Sequence, residues 1–336
     1  MVAEVGEDLR RGLDEVLVVA VTLLGVVAVA AVVCPLCVFA LADEVGFVAL
    51  EEIELPRDHV AEALPAKHLT RLAGSLALLV RTWNVFHGNA DPPERRAFLE
   101  EMVHLATADH PDAVCLQEVP VWALSRLEGW SGMRAFGAVA ARPLLGSAEL
   151  GRMITELNHG LFRSAFTGQA NAILLQRDLR PLDTGSIVLN PPAFRRRIAR
   201  ELGLDLGLRL RWAKERRVCH AVRTEALTVA NLHGSSVADW RIPDSELLRA
   251  ATFADSAAEP NDVLVLAGDF NVIRERSRTL EQLAGPDWGF TKPISWIDQV
   301  LVRGAPSSRA HRWPEEQRRV DGRLLSDHAP VEVTIE

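Results

Sequence analysis

The chain has 336 residues, 48% of them hydrophobic and 24% charged, which is enough apolar material for one large domain or two ordinary ones. Its formal net charge of −8 argues against the broad basic face of proteins that track along nucleic acid. Four cysteines, at positions 34, 37, 115 and 219, make no disulfide framework, and Cys34 and Cys37 lack the second pair or nearby histidines of a zinc site.

After a short flank (residues 1–15), residues 16–42 run without a single charge, long enough to cross a bilayer as a helix. Arg10 and Arg11 precede the run, and Asp43, Glu44, Glu51 and Glu52 follow it. That asymmetry predicts a signal anchor with the remainder of the chain extracytoplasmic. Ala40-Leu41-Ala42 also suits signal-peptidase cleavage and a secreted product, and a buried helix of a cytoplasmic protein is the further alternative. Residues 43–75, with Pro56 and Pro65, read as a linker.

From residue 76 to 336 short apolar runs alternate with amphipathic segments, predicting one layered α/β domain. Expected strands are 76–80, 113–117, 172–176, 218–224, 227–231, 263–267, 297–302 and 331–335. Pro92 and Pro93 open a helix with Phe98, Met102, Leu105 and Ala106 on one face. Asp244 or Ser245 is placed to cap a second helix through Leu247, Leu248 and Ala251. Between these lies a basic segment, Arg195 to Arg217, which reads either as a solvated face or as a rim that attracts phosphate.

Polar residues concentrate where the apolar runs end. Asn84 follows the first run, Gln117 and Glu118 the second, Asn231 and His233 a middle one, and Asp269 and Asn271 a later one. Asp298 opens another, and Ser326, Asp327 and His328 precede the last. One polar residue at a strand end means little, but six strands delivering one each describe a site built on a rigid sheet. Carboxylate and amide oxygens are hard ligands of the kind Mg²⁺ accepts, and two histidines can handle protons near neutral pH. A GxSxG elbow, a GxxxxGK[ST] loop and a HExxH helix are absent, which removes support for serine hydrolase, P-loop nucleoside triphosphatase and zinc protease chemistry.

Thr82-Trp83-Asn84-Val85, Leu116-Gln117-Glu118, Asn231-Leu232-His233, Gly268-Asp269-Phe270-Asn271, Ile297-Asp298-Gln299 and Ser326-Asp327-His328 follow one another in the order used by the endonuclease/exonuclease/phosphatase superfamily, which the chain resembles over residues 76–336. The resemblance implies a four-layer α/β/β/α sandwich of the DNase I-like kind and hydrolysis of phosphate esters. It implies Glu118, Asn84 and Asp327 as metal ligands, with Mg²⁺ the expected ion and Mn²⁺ or Ca²⁺ as alternatives. It further implies His328 as base or phosphate contact with Asp298 as its orienting partner, His233 as the second histidine, and Asp269 with Asn271 around the attacking water. Asn231, Asn171 and Arg217 are expected to bind the substrate phosphate.

The chain contains no tyrosine, so the phosphate-contacting tyrosine of abasic-site endonucleases is missing. Acidic charge and the apolar segment tilt the expected substrate toward a small or lipid phosphoester, with DNA or RNA as the alternative. A catalytically silent, membrane-attached binding protein on the same fold is the competing reading from another class. No obligate protein partner is expected, and His87, His104, His110 and His159 are expected to be structural or surface residues.

Overall fold

The computed structural model describes residues 77–94, 96–143, 153 and 167–336. The flank, the apolar run and the linker, with Cys34 and Cys37, lie outside the described residues, as does His159. No helix among the described residues is long and apolar enough to cross a membrane.

In chain order the strands and helices are β1 (Leu78–Asn84), β2 (Ala90–Asp91), α1 (Leu99–Thr107), β3 (Ala113–Val119), α2 (Leu127–Ser131), β4 (Arg134–Ala141), β5 (Gln169–Leu175) and β6 (Pro181–Val188). They continue with α3 (Pro192–Glu201), α4 (Leu206–Lys214), β7 (Val218–Thr224), β8 (Thr228–His233), α5 (Arg241–Ala257), β9 (Leu264–Asp269) and α6 (Arg278–Leu283). The chain closes with β10 (Asp298–Arg303), β11 (His311–Arg312), β12 (Arg319–Val320), β13 (Arg323–Leu325) and β14 (Val331–Ile335). One sheet has the order β11-β14-β1-β3-β5-β4, and the other β10-β9-β8-β7-β6. A small third sheet, β12-β13-β2, carries the chain toward Ser326.

The two large sheets face each other across an aliphatic layer. Val80, Cys115 and Ile173 of one meet Val222, Val229, Val265 and Val300 of the other. Alternation along each strand sends the intervening residues outward. Trp83 and Leu116 thus pack beneath α1 with Met102 and Ala106. Ala230, Leu232 and Leu266 pack beneath α5 and α6 with Leu247, Ala251 and Leu280. Helix, sheet, sheet, helix is the expected four-layer sandwich.

β1 and β3 run parallel with Asn84 opposite Gln117, β8 and β9 run parallel with His233 opposite Asp269, and β10 runs antiparallel with Asp298 opposite Asp269. Those registers bring the polar strand ends to one edge of the sandwich. Six strands were not anticipated, the very short β2, β11, β12 and β13 and the longer β4 and β6. β4 is built mostly of small residues and β6 is an exposed edge strand, so neither shows apolar alternation. The expected cap at Asp244 is also corrected. The helix begins at Arg241, and the Asp244 carboxylate instead accepts from Ser277 Oγ, the hydroxyl that caps α6 at Leu280 N.

Candidate active site

Local backbone geometry aims the polar residues into the cleft. On β3, Gln117 and Glu118 together oppose Asn171 of β5, because the register shifts between Leu116 and Val119. This bulge, with Glu118 at φ 56°, turns the Glu118 carboxylate toward the sheet edge. On β9, Gly268 sits at φ 142°, and a Cβ there would lie 1.9 Å from Leu232 O, so only glycine lets Asp269 follow at this height. Asn271 (φ 50°) and Ser326 (φ 58°) also hold left-handed conformations, which side chains adopt at a cost that functional loops tolerate.

The side chains then form a row in which imidazole and carboxylate alternate. His87 Nε2 lies 3.5 Å from Glu118 Oε2, and Glu118 Oε1 lies 3.8 Å from His233 Nε2. His233 Nε2 is 3.4 Å from Asp269 Oδ2, which is 3.8 Å from His328 Nε2. The row ends where His328 Nδ1 meets both oxygens of Asp298, at 3.0 and 2.9 Å.

The two histidines named from the sequence are in opposite electrostatic states. His233 is buried, and its Nδ1 receives Arg217 Nη1 at 3.2 Å. A guanidinium can only donate, so Nδ1 is the acceptor and the ring proton sits on Nε2, facing Asp269. Burial, then the charge of Arg217, hold the His233 pKa well below the ordinary value, so the ring is neutral. Burial also disfavours charge on His328, but the hydrogen bond and charge of Asp298, with Asp269 and Asp327, outweigh it and lift the pKa to about 10. Burial, then the charge of Asp298, push Asp269 above the usual carboxylate range.

A frame of hydrogen-bond donors fixes this row. Trp296 Nε1 donates to Asp298 Oδ2 at 3.0 Å, and Trp83 Nε1 donates to His328 O at 3.0 Å. Ser326 Oγ donates to Asn84 O at 2.7 Å and accepts from His328 N at 3.1 Å. Arg318 Nη1 reaches the carbonyls of Leu325, Ser326 and His328, at 3.2, 2.9 and 2.8 Å. Asp269 Oδ1 accepts Asn271 N at 3.0 Å, and Oδ2 accepts Asn84 Nδ2 at 3.0 Å.

Asn84, Glu118, His233, Asp269, Asp298 and His328 are therefore brought together, and Asn271 is placed beside them with Nδ2 on Gly234 O. Asp327 is exposed at the mouth. Three phosphate contacts expected from the sequence are differently employed. Asn231 is fully buried, accepting Gln117 Nε2 at 2.8 Å and donating to Leu116 O and Ala172 O at 3.0 and 2.9 Å, so its amide bridges the sheets below the site. Asn171 donates to Val218 O at 3.1 Å and bridges likewise. The Arg217 guanidinium reaches His233 through Nη1 at 3.2 Å and Glu215 through Nη2 at 2.7 Å. Position at a strand end was legible, but depth was not. Asn231 lies two residues before His233 on the same face, one step farther into the sheet.

Two residues at the site had been given no role. Gln169 Nε2 reaches His233 Nδ1 at 3.1 Å. His87 is buried on a 3-10 turn, Phe86–Gly88, where three successive positive φ values (43°, 53° and 83°) swing it toward Glu118. The signal in the sequence was Gly88 following His87 so soon after Asn84.

Whether a divalent cation fits follows from the donors. Asp269, Asp298 and His328 offer ligand atoms within 4.8 Å of one another and could hold a metal ion. Within that group His328 Nδ1 is already engaged by Asp298. The Glu118 carboxylate pairs with no Lys or Arg among the described residues. Glu118, Asp269, Asp298 and Asp327 thus share the site with the charged His328. That surplus of negative oxygen suits a hard dication, with Glu118 as its most available ligand. Asn84 Oδ1 accepts Phe86 N at 3.0 Å, which leaves one lone pair for a cation.

The family model for the endonuclease/exonuclease/phosphatase family matches residues 82–328. A functionally unknown conserved protein from Enterococcus faecalis shares the fold at TM-score 0.52 and 16% identity, covering 77% of this chain and 99% of its own. An endonuclease/exonuclease/phosphatase from Beutenbergia cavernae does so at 0.52 and 16%, over 77% of this chain and 71% of its own. Another from Bacteroides vulgatus does so at 0.50 and 15%, over 78% and 99%. Comparison with curated proteins gives no match.

Proposed function

The chain belongs to the endonuclease/exonuclease/phosphatase family, whose members hydrolyse phosphate esters, and on that premise we propose that it is a divalent-metal-dependent phosphoesterase working through the row from His87 to Asp298. The observation that carries this reading is the alternation itself. Three imidazoles and three carboxylates lie within 3.8 Å of their neighbours, with one histidine neutral and one charged.

Each group has a task that its geometry suits. Asp269, fixed by two N–H donors, orients water for in-line attack on phosphorus and accepts the proton that the water loses. His328, anchored through Nδ1 by Asp298, presents Nε2 as a fixed positive charge toward phosphate oxygens as negative charge builds there. His233 carries its proton on Nε2 and donates it in a hydrogen bond to the leaving oxygen as the P–O bond breaks. Glu118, Asn84 and Asp327 are the oxygen donors for Mg²⁺ or Mn²⁺. Such an ion supplies neutralisation of phosphate charge and acidification of water. The substrate class we favour is a small or lipid phosphoester, supported by the net charge of −8.

The test is hydrolysis of bis-p-nitrophenyl phosphate with Mg²⁺, Mn²⁺ and Ca²⁺ in turn. Activity with one of these ions, lost in Asp269→Ala and His328→Ala, is expected. An inactive wild type across that series and across DNA, RNA and phospholipid would overturn the proposal and favour a silent binding protein.

A further inference from the structure

The basic segment has no part in the chemistry just described, yet it leads straight into it. α3 and α4 lie between β6 and β7, and two residues separate α4 from Arg217, whose guanidinium holds His233. Asn190 knits this corner together, taking Arg217 N on its Oδ1 and giving its Nδ2 to Glu215 O, while its carbonyl accepts Arg195 Nη1. The helices therefore stand at the rim of the cleft.

α4 is an unusual helix for a surface position. Of its nine residues only Trp212 is buried, pinned by Nε1 to Glu246 at 2.7 Å. Leu206 and Leu210, one turn apart, are 70% and 56% exposed. A helix normally turns its leucines inward, so two on the outer side mark an apolar stripe without a partner in the described fold.

The residues around that stripe are mostly of one sign. Arg196, Arg197 and Arg200 on α3, with Arg211, Lys214 and Arg216 on and after α4, are all exposed. Arg197 has Glu201 at 3.7 Å, and none of the other five has a carboxylate at ion-pair distance among the described residues. The acids of the segment are committed elsewhere, Asp205 as the cap of α4 through Leu208 N and Glu215 to Arg217. Close packing of like charge is felt even at Arg195, where burial, then Arg216 and Arg196, lower the pKa. On a chain of net charge −8 this is a local reversal of sign.

We propose that the α3–α4 face docks on an anionic phospholipid bilayer, its arginines on headgroup phosphates and Leu206 and Leu210 dipping into the interface, so that the cleft opens onto lipid phosphoesters. Leucines between cations suit a bilayer surface, where apolar side chains gain by leaving water and each basic residue adds attraction. They suit nucleic acid poorly, because single strands are held by exposed aromatic rings and the aromatics here, Trp212 and Phe194, are buried. The proposal names the substrate class of the phosphoesterase site and rests on that reading only for the chemistry, not for the docking.

Hydrogen exchange of the full chain tests it, since the readout is local and is not confounded by residues 16–42. Vesicles of phosphatidylglycerol and phosphatidylcholine in equal parts should slow amide exchange across residues 192–216, and phosphatidylcholine alone should not. Leu206→Ser with Leu210→Ser, both at exposed positions, should abolish that protection while hydrolysis of bis-p-nitrophenyl phosphate is unchanged. Absence of protection with anionic vesicles, equal protection with both vesicle types, or the same protection by DNA would each overturn the docking proposal. Activity on the soluble ester without vesicle protection sinks the docking alone, whereas protection without any activity sinks the phosphoesterase reading alone.

Discussion

Two clusters of charge lie on either side of β1, and they are built on opposite principles. On the helix side, fully buried Arg81 grips Asp109 through two bonds of 2.8 and 2.7 Å, takes Glu332 through Nε at 2.8 Å and donates to Ala106 O. The Trp313 ring lies 4.4 Å from the guanidinium, completing its enclosure. Every strong donor there has an acceptor at hydrogen-bond length. Across the strand, the row from His87 to Asp298 holds its members mostly at 3.4–3.8 Å, with carboxylates outnumbering the charged imidazole. The first cluster is electrostatically closed and serves the fold. The second is left open, and what it lacks, positive charge, is what a dication would bring.

This contrast can be broken by substitution, and the largest effect belongs to the open cluster. Asp298→Asn removes the charge that anchors His328 while keeping its shape. We expect turnover of bis-p-nitrophenyl phosphate to fall by about 100-fold or more, with melting temperature nearly unchanged. A large loss of stability with little loss of turnover would place Asp298 with the structural cluster instead. In the closed cluster the pattern reverses. Arg81→Met strands two carboxylates that can still reach water and should cost about 2–3 kcal/mol in denaturant unfolding, with turnover per folded molecule preserved.

Asn231→Ala sharpens the boundary between the two behaviours. It leaves Gln117 Nε2 and two strand carbonyls short of a partner, so a loss of about 1–3 kcal/mol is expected with KM unaltered. A raised KM at unchanged stability would instead return Asn231 to the phosphate. The smallest effect is one of pH. The hydrogen bond from Arg81, then its charge, holds the Asp109 carboxyl below the usual range against opposing desolvation. A carboxylate lowered on folding adds stability that is complete above its unfolded value, about 4, and is lost as pH falls through the folded value. Melting temperature below about pH 4 should therefore fall less steeply in Arg81→Met than in the wild type.

The contrast also explains how far the sequence could be read. Strands such as Val218–Thr224 and Val331–Ile335 were legible to the residue, the first as a run buried almost throughout and the second through Val331, Val333 and Ile335 alternating with half-buried Glu332 and Thr334. The convergence of Asp269, Glu118 and His328 was legible through their place at strand ends. What escaped depends on backbone geometry and on depth. His87 enters through consecutive left-handed residues, which no hydrophobic pattern announces. Asn231 and Asn171 lie one pleat below the site, a distance visible only once the sheets face each other. The Arg318 clamp on three carbonyls unites residues 318 and 325–328 through a small sheet too short to leave a periodic signature.

The central claim is that the open cluster is completed by a divalent cation for phosphoester hydrolysis, and its most direct test is a cation titration of initial rate. Hydrolysis of bis-p-nitrophenyl phosphate by the full chain should vanish with chelator and rise saturably with Mg²⁺ or Mn²⁺. In Glu118→Gln the half-saturating concentration should move upward by about tenfold or more, the scale of one lost charged ligand. Turnover that persists in chelator, or a Glu118→Gln titration that overlays the wild type, would contradict the account.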